Sequence, residues 1–175
     1  MQSAFIALTA IGLTVSTALA GGTDLIVVEV PLTVEATNPP ANIPAGSPTP
    51  FGMAEVTIDS VAMSIAWDID YQNLTGPIVA PGAHFHGPAV QGTNGGVQIF
   101  ITTGDPPSPA TGNLTGSASL TQTQLDDVLD DLWYINIHTE ANQPGELRGQ
   151  VIVPEPVTLG SLAAAGGLLL LRRRK

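Results

Sequence analysis

Three histidines carry the chemistry that this sequence displays most openly. His84-Phe85-His86 sets two imidazoles at i and i+2. On a strand such a pair shares a face, with attachment points ~6.6 Å apart. One metal ion at roughly 2.0–2.1 Å from each ring nitrogen can bridge them. His138 closes the stretch Tyr134-Ile135-Asn136-Ile137-His138. There Ile135 and Ile137 would face a core, and Asn136 and His138 the opposite side. If the two strands are neighbours, three nitrogens converge. Three His with an open fourth position form a catalytic zinc set and also suit copper, so zinc or copper is the cofactor that His84, His86 and His138 could hold, while no cofactor is required by the sequence. The alternative is that these rings hydrogen-bond backbone and lock loops against a sheet. In an acidic chain the rings are expected in an acidic setting, with metal affinity lost as pH falls through ~6.5. Arg148 could draw an anion to such a metal; pairing with Glu146 or another carboxylate is the other reading. No nucleophile elbow, phosphate loop or H-E-x-x-H occurs, so no catalytic residue is assigned.

The elements that must place these residues read as strands. Residues 61–71 alternate strictly: Val61, Met63, Ile65, Trp67, Ile69 and Tyr71 against Ala62, Ser64, Ala66, Asp68 and Asp70. That pattern gives one face to a core and one to water, as in an antiparallel sheet. Further strands are expected over 25–34, 53–59, 83–85, 97–102, 114–119, 133–138 and 146–152. Pro- and Gly-rich turn signals such as Asn38-Pro39-Pro40 and Asn94-Gly95-Gly96 lie between them. Leu125, Val128, Leu129 and Leu132 instead follow helical spacing, with Thr121 or Thr123 as cap, which predicts one short helix over 122–131. Asp126, Asp127, Asp130 and Asp131 would line its solvated side. The fold class is all-β: an antiparallel, Greek-key-like β-sandwich with one short helix.

Charge and composition narrow the function. The 175 residues hold 15 carboxylates, five Lys or Arg and no cysteine. Arg148 is the only basic residue before the terminal Arg172-Arg173-Arg174-Lys175. An acidic domain excludes nucleic acid as a partner, because phosphates demand a basic face. Cations, exopolysaccharide or surface proteins are the partners that fit. Without disulfides the domain must hold itself by packing, or by packing plus a metal.

Both ends read as addresses. Residues 1–20 form a signal peptide: an apolar run, then Ala18-Leu19-Ala20, cut by signal peptidase after Ala20. Pro154-Glu155-Pro156 precedes an apolar run over 157–171, about 22 Å as helix and so a marginal membrane span, followed by the basic cluster. Segment 154–175 resembles the PEP-CTERM sorting signal. The resemblance implies that an exosortase-type protease recognises Pro154, Glu155 and Pro156, removes the helix and delivers the protein to the cell surface or outside. Until then the helix holds it transiently in the inner membrane.

Four blocks carry a second resemblance: His84-Phe85-His86-Gly87-Pro88-Ala89, Gly95-Gly96-Val97, Tyr134-Ile135-Asn136-Ile137-His138-Thr139 and Pro144-Gly145-Glu146-Leu147-Arg148-Gly149-Gln150. In this order they resemble the CHRD domain of chordin and of bacterial exported proteins, over residues 24–152. The motif positions carried over are Gly87, Pro88, Asn136, Thr139, Gly145, Glu146, Arg148, Gly149 and Gln150. The resemblance implies no catalytic role. An H-x-H strand in a sandwich also resembles Cu/Zn superoxide dismutase, but three histidines are too few for that enzyme's full site. The leading expectation is a surface-sorted, non-enzymatic binding or structural module of the envelope or extracellular matrix. The rival is a metalloenzyme with a three-His copper or zinc site.

Overall fold

The structure, a computed structural model, describes residues 25–154. The expected signal peptide and the sorting segment from Glu155 onward lie outside the described residues. Eight strands and one helix follow in order: β1 (Leu25–Thr33), β2 (Phe51–Asp59), β3 (Ser64–Gln72), β4 (Ile78–Gly87), β5 (Gly96–Thr102), β6 (Gly112–Ser119), α1 (Gln122–Leu129), β7 (Tyr134–Thr139) and β8 (Leu147–Gln150). They form one antiparallel sheet in the order β5-β4-β7-β8-β1-β2-β3-β6. A single residue pair, Thr33 with Arg148, joins β1 to β8. Gly149 of β8 also packs against Val30, Pro31 and Leu32 of β1. Trp67 of β3 meets Phe85 of β4 edge-on, with ring centroids 5.5 Å apart, although the two strands stand far apart in the sheet order. The result is a sandwich-like barrel, and the chain crosses between its halves at β3–β4, β5–β6 and β6–β7.

Alternation explains which residues fill it. Ile65, Trp67, Ile69 and Tyr71 of β3 are buried, as are Val28, Val30 and Leu32 of β1 and Ala54, Val56 and Ile58 of β2. Their neighbours Glu29, Glu55, Asp68 and Asp70 point to water. The expected start of the third strand is corrected. Val61 is exposed and Met63 has a positive φ of 52°. Asp59 Oδ1 accepts the backbone N–H groups of Val61 and Ala62, which builds a turn where the apolar alternation suggests strand.

Helix α1 begins as expected. Thr121 caps it and exchanges hydrogen bonds with Gln124 in a capping box. It ends at Leu129, sooner than the spacing suggests. Asp131, at φ 61°, has left the helix, and its Oδ1 accepts the Val153 N–H at 2.6 Å. Among the described residues, no helix is long and apolar enough to cross a membrane.

Candidate metal centre

Strands β4 and β7 run side by side, with His84 opposite Asn136 and His86 opposite Tyr134. Ala83 and Phe85 fill the core on one face of β4, as Ile135 and Ile137 do on β7. The histidines therefore take the other face. That face is also covered: every residue of β7 is buried, and His84 is only 1% exposed. One cross-strand row runs Phe100, His84, Asn136, Arg148 over β5, β4, β7 and β8, and a second includes His86, Tyr134 and Gln150.

With the two strands adjacent, the three imidazoles meet. Ring centroids lie 5.4 Å apart for His84 and His86, 5.2 Å for His84 and His138, and 5.9 Å for His86 and His138. One ring nitrogen from each falls within 4.8 Å of the others. Two nitrogens bound to one ion at 2.0–2.1 Å stand at most ~4.2 Å apart, so modest ring movement completes the geometry.

Two of the rings are oriented from behind. His86 Nδ1 bonds the Gly95 carbonyl at 3.1 Å, and His138 Nδ1 bonds the Gln143 carbonyl at 2.6 Å. A carbonyl only accepts, so both Nδ1 atoms carry the proton and both Nε2 atoms present a lone pair. His86 Nε2 and both nitrogens of His84 are buried without a hydrogen-bond partner. They are three of the seven buried, unpartnered side-chain atoms among the described residues, and with His138 they make a group that could hold a metal ion.

Electrostatics agree. Burial lowers His84 to a pKa of about 4, with the charges of His138 and His86 adding to the effect. The Pro81 backbone opposes this weakly without forming a hydrogen bond. Burial also lowers His86 and His138, against the pull of the Gly95 and Gln143 carbonyls. The rings are thus neutral at pH 7, the form that binds metal. The expected acidic setting is corrected: among the described residues, the only His, Cys, Asp or Glu group placed for a metal is these three histidines. Glu29, Glu55, Asp68 and Asp70 lie on exposed strand faces instead. Asp126, in the acidic helix, accepts from Gln122.

Arg148 does not pair with Glu146. Its guanidinium lies 3.5 Å over the Tyr134 ring and donates to Asn94 Oδ1 at 2.9 Å and to the Thr93 carbonyl at 2.5 Å. Tyr134 in turn stacks on His86, centroids 5.0 Å apart and planes within 9°. Arg148 therefore clamps the 88–95 loop whose Gly95 carbonyl orients His86. Glu146, fully buried, accepts from Thr75 N–H, Thr75 Oγ1, Thr139 Oγ1 and Asn142 Nδ2, and so ties the 73–77 loop to the β7–β8 turn.

These contacts account for the motif positions. Gly87 lies against Trp133, and Pro88 follows it through a cis bond. Gly145, at φ +139°, has Asn136 Oδ1 where a Cβ would stand, 2.3 Å away. Gly149 lets the Pro31 carbonyl approach to 2.4 Å of the same position. Gln150 Nε2 holds the carbonyls of Ala89 and Asp131. A family model for the CHRD domain matches residues 29–151, well over half of the chain. The chain belongs to the CHRD domain family. Comparison of this CHRD domain with curated proteins and with solved structures gave no match.

Sequence reasoning left Tyr134 and Phe100 out of the candidate site. Tyr134 was within reach, since it lies two residues before Asn136 and so on the same face. Phe100, 4.7 Å from His84 by ring centroid, depends on a strand register that the sequence does not display.

Proposed function

We propose that this CHRD domain is an exported binding or structural module of the envelope or extracellular matrix, and that one zinc or copper ion on His84, His86 and His138 is central to its role. The convergence of three neutral imidazoles, with His86 Nε2 and both nitrogens of His84 unpartnered, carries the reading. A structural role would give each nitrogen a partner, and His84 has none. Signal peptidase and an exosortase-type protease, acting at Ala20 and near Pro154-Glu155-Pro156, would release the domain at the surface. The order of Pro-Glu-Pro, apolar run and basic cluster supports that route. Exopolysaccharide and surface proteins are the partners suited to its acidic exterior.

A metalloenzyme is the second reading, favoured by a donor set of three that leaves a coordination position for a reactant. The test is elemental and intact-mass analysis of the protein recovered from the cell surface without an affinity tag. One equivalent of zinc or copper, on a chain ending near Pro156, is the expected result. A metal-free protein still ending at Lys175 would overturn both parts. Hydrolytic or redox activity abolished by chelation would select the enzyme.

A further inference from the structure

The three imidazoles are neutral ligands, and what surrounds them does not balance a divalent charge. Facing the site are Phe100 from β5, Tyr134 and Asn136 from β7 and the Arg148 guanidinium from β8, which stacks on Tyr134. No carboxylate joins the group. A divalent ion there would be a buried, uncompensated charge, which is costly unless an anion accompanies it. Asn136 shows where that anion would be received. It is 7% exposed and stands between His84, its cross-strand partner, and His138, two residues along the same strand. Its Nδ2 donates to the Pro144 carbonyl at 3.1 Å, which fixes the amide so that nitrogen, not oxygen, faces the site. The second N–H points at His138 Nε2, 3.3 Å away. That lone pair is the one His138 would give to a metal, because its Nδ1 proton is committed to Gln143. Once a metal takes the lone pair, the Asn136 N–H loses its acceptor and faces a cation.

Resting on the metal reading above, we propose that the site binds its divalent ion together with a small free anion in the fourth coordination position, and that Asn136 is the hydrogen-bond donor that holds this anion. The burial of His84 and Asn136 favours a small anion over a bulky one, and azide serves as the probe. Asn136 is a positioning residue for the anion and not a ligand of the metal.

Azide titration of the tag-free protein loaded with Cu(II) tests this, followed by the azide-to-copper charge-transfer band. The wild type binds one saturable azide per copper. Asn136→Leu, close in shape and lacking the N–H, raises the azide dissociation constant per bound copper about tenfold or more, as loss of a charge-assisted hydrogen bond requires. Asn136→Asp places a carboxylate in the same position and abolishes azide binding; it keeps the test decisive if the leucine variant fails to fold. Equal azide affinity in the wild type and the variants overturns the role of Asn136 and leaves the three-His site standing. A copper-loaded wild type that shows no azide band overturns the anion altogether. A wild type that takes up no copper overturns the metal reading and this inference with it.

Discussion

At the residue scale, His84 is the side chain on which the account turns. It is buried, and neither of its nitrogens has a hydrogen-bond partner. In the unfolded chain it takes a proton near pH 6.5; in the fold it does so only near pH 4. Between these values the unfolded state holds more protons, so metal-free protein loses stability as pH falls from 6.5 towards 4 and keeps it above 6.5. The His84 contribution is on the order of 3 kcal/mol across that window, and His86 and His138, also lowered, act in the same direction. Urea melts of chelator-treated protein at pH 7.5, 5.5 and 4.5 should show a falling midpoint, with a shallower fall in His84→Leu. A midpoint independent of pH would mean that His84 is solvated. That His84 and His86 share a face was legible because strand periodicity fixes the face of i and i+2, and Asn136 could be placed beside His138 by the same rule. The surroundings were not legible. Arg148 found a tyrosine face and two loop groups instead of a carboxylate, because its neighbours are set by strand register and by the fold of the 88–95 loop.

Among the elements, β3 was the most readable, and it ties the two halves of the sandwich together through Trp67 and Phe85. Trp67→Ala removes the largest side chain of that contact and should destabilise the protein by about 3–5 kcal/mol in urea melts. A loss below ~1 kcal/mol would show that this seam does not hold the halves. The solvated faces of the same strands carry a liability. Glu29 stands opposite Glu55, and Glu55 opposite Asp68, so three exposed carboxylates line up across β1, β2 and β3. Like charges directly opposite each other destabilise a sheet. Glu55→Thr should therefore stabilise the protein by ~0.5–1 kcal/mol at low ionic strength, and the gain should shrink in 1 M salt. An unchanged or lowered melting midpoint at low salt would contradict this. Element boundaries were harder to read than element types. The alternation runs on through Val61, yet an aspartate turn governs that segment. Strand β4 reaches back to Ile78 across Pro81 and Gly82, where the composition reads as loop and the register with β7 shifts.

For the whole molecule, the order of strands creates the site. β4 and β7 are separated in sequence by β5, β6 and α1, and only the crossings between halves bring them together. That adjacency had to be taken from the resemblance to the CHRD domain, since periodicity within a strand says nothing about its neighbour. The same topology leaves Glu29, Glu55, Asp68 and Asp70 on the outside and a neutral, buried nitrogen cluster within. Isothermal titration of the tag-free protein with zinc and with copper at pH 7.5, beside His84→Ala and His138→Ala, decides whether the three histidines bind an ion. One ion per chain should bind the wild type, and either substitution should abolish that isotherm while the fold, followed by circular dichroism, persists. Absence of binding in the wild type, or binding indifferent to both substitutions, would contradict the account and leave the three histidines as packing residues.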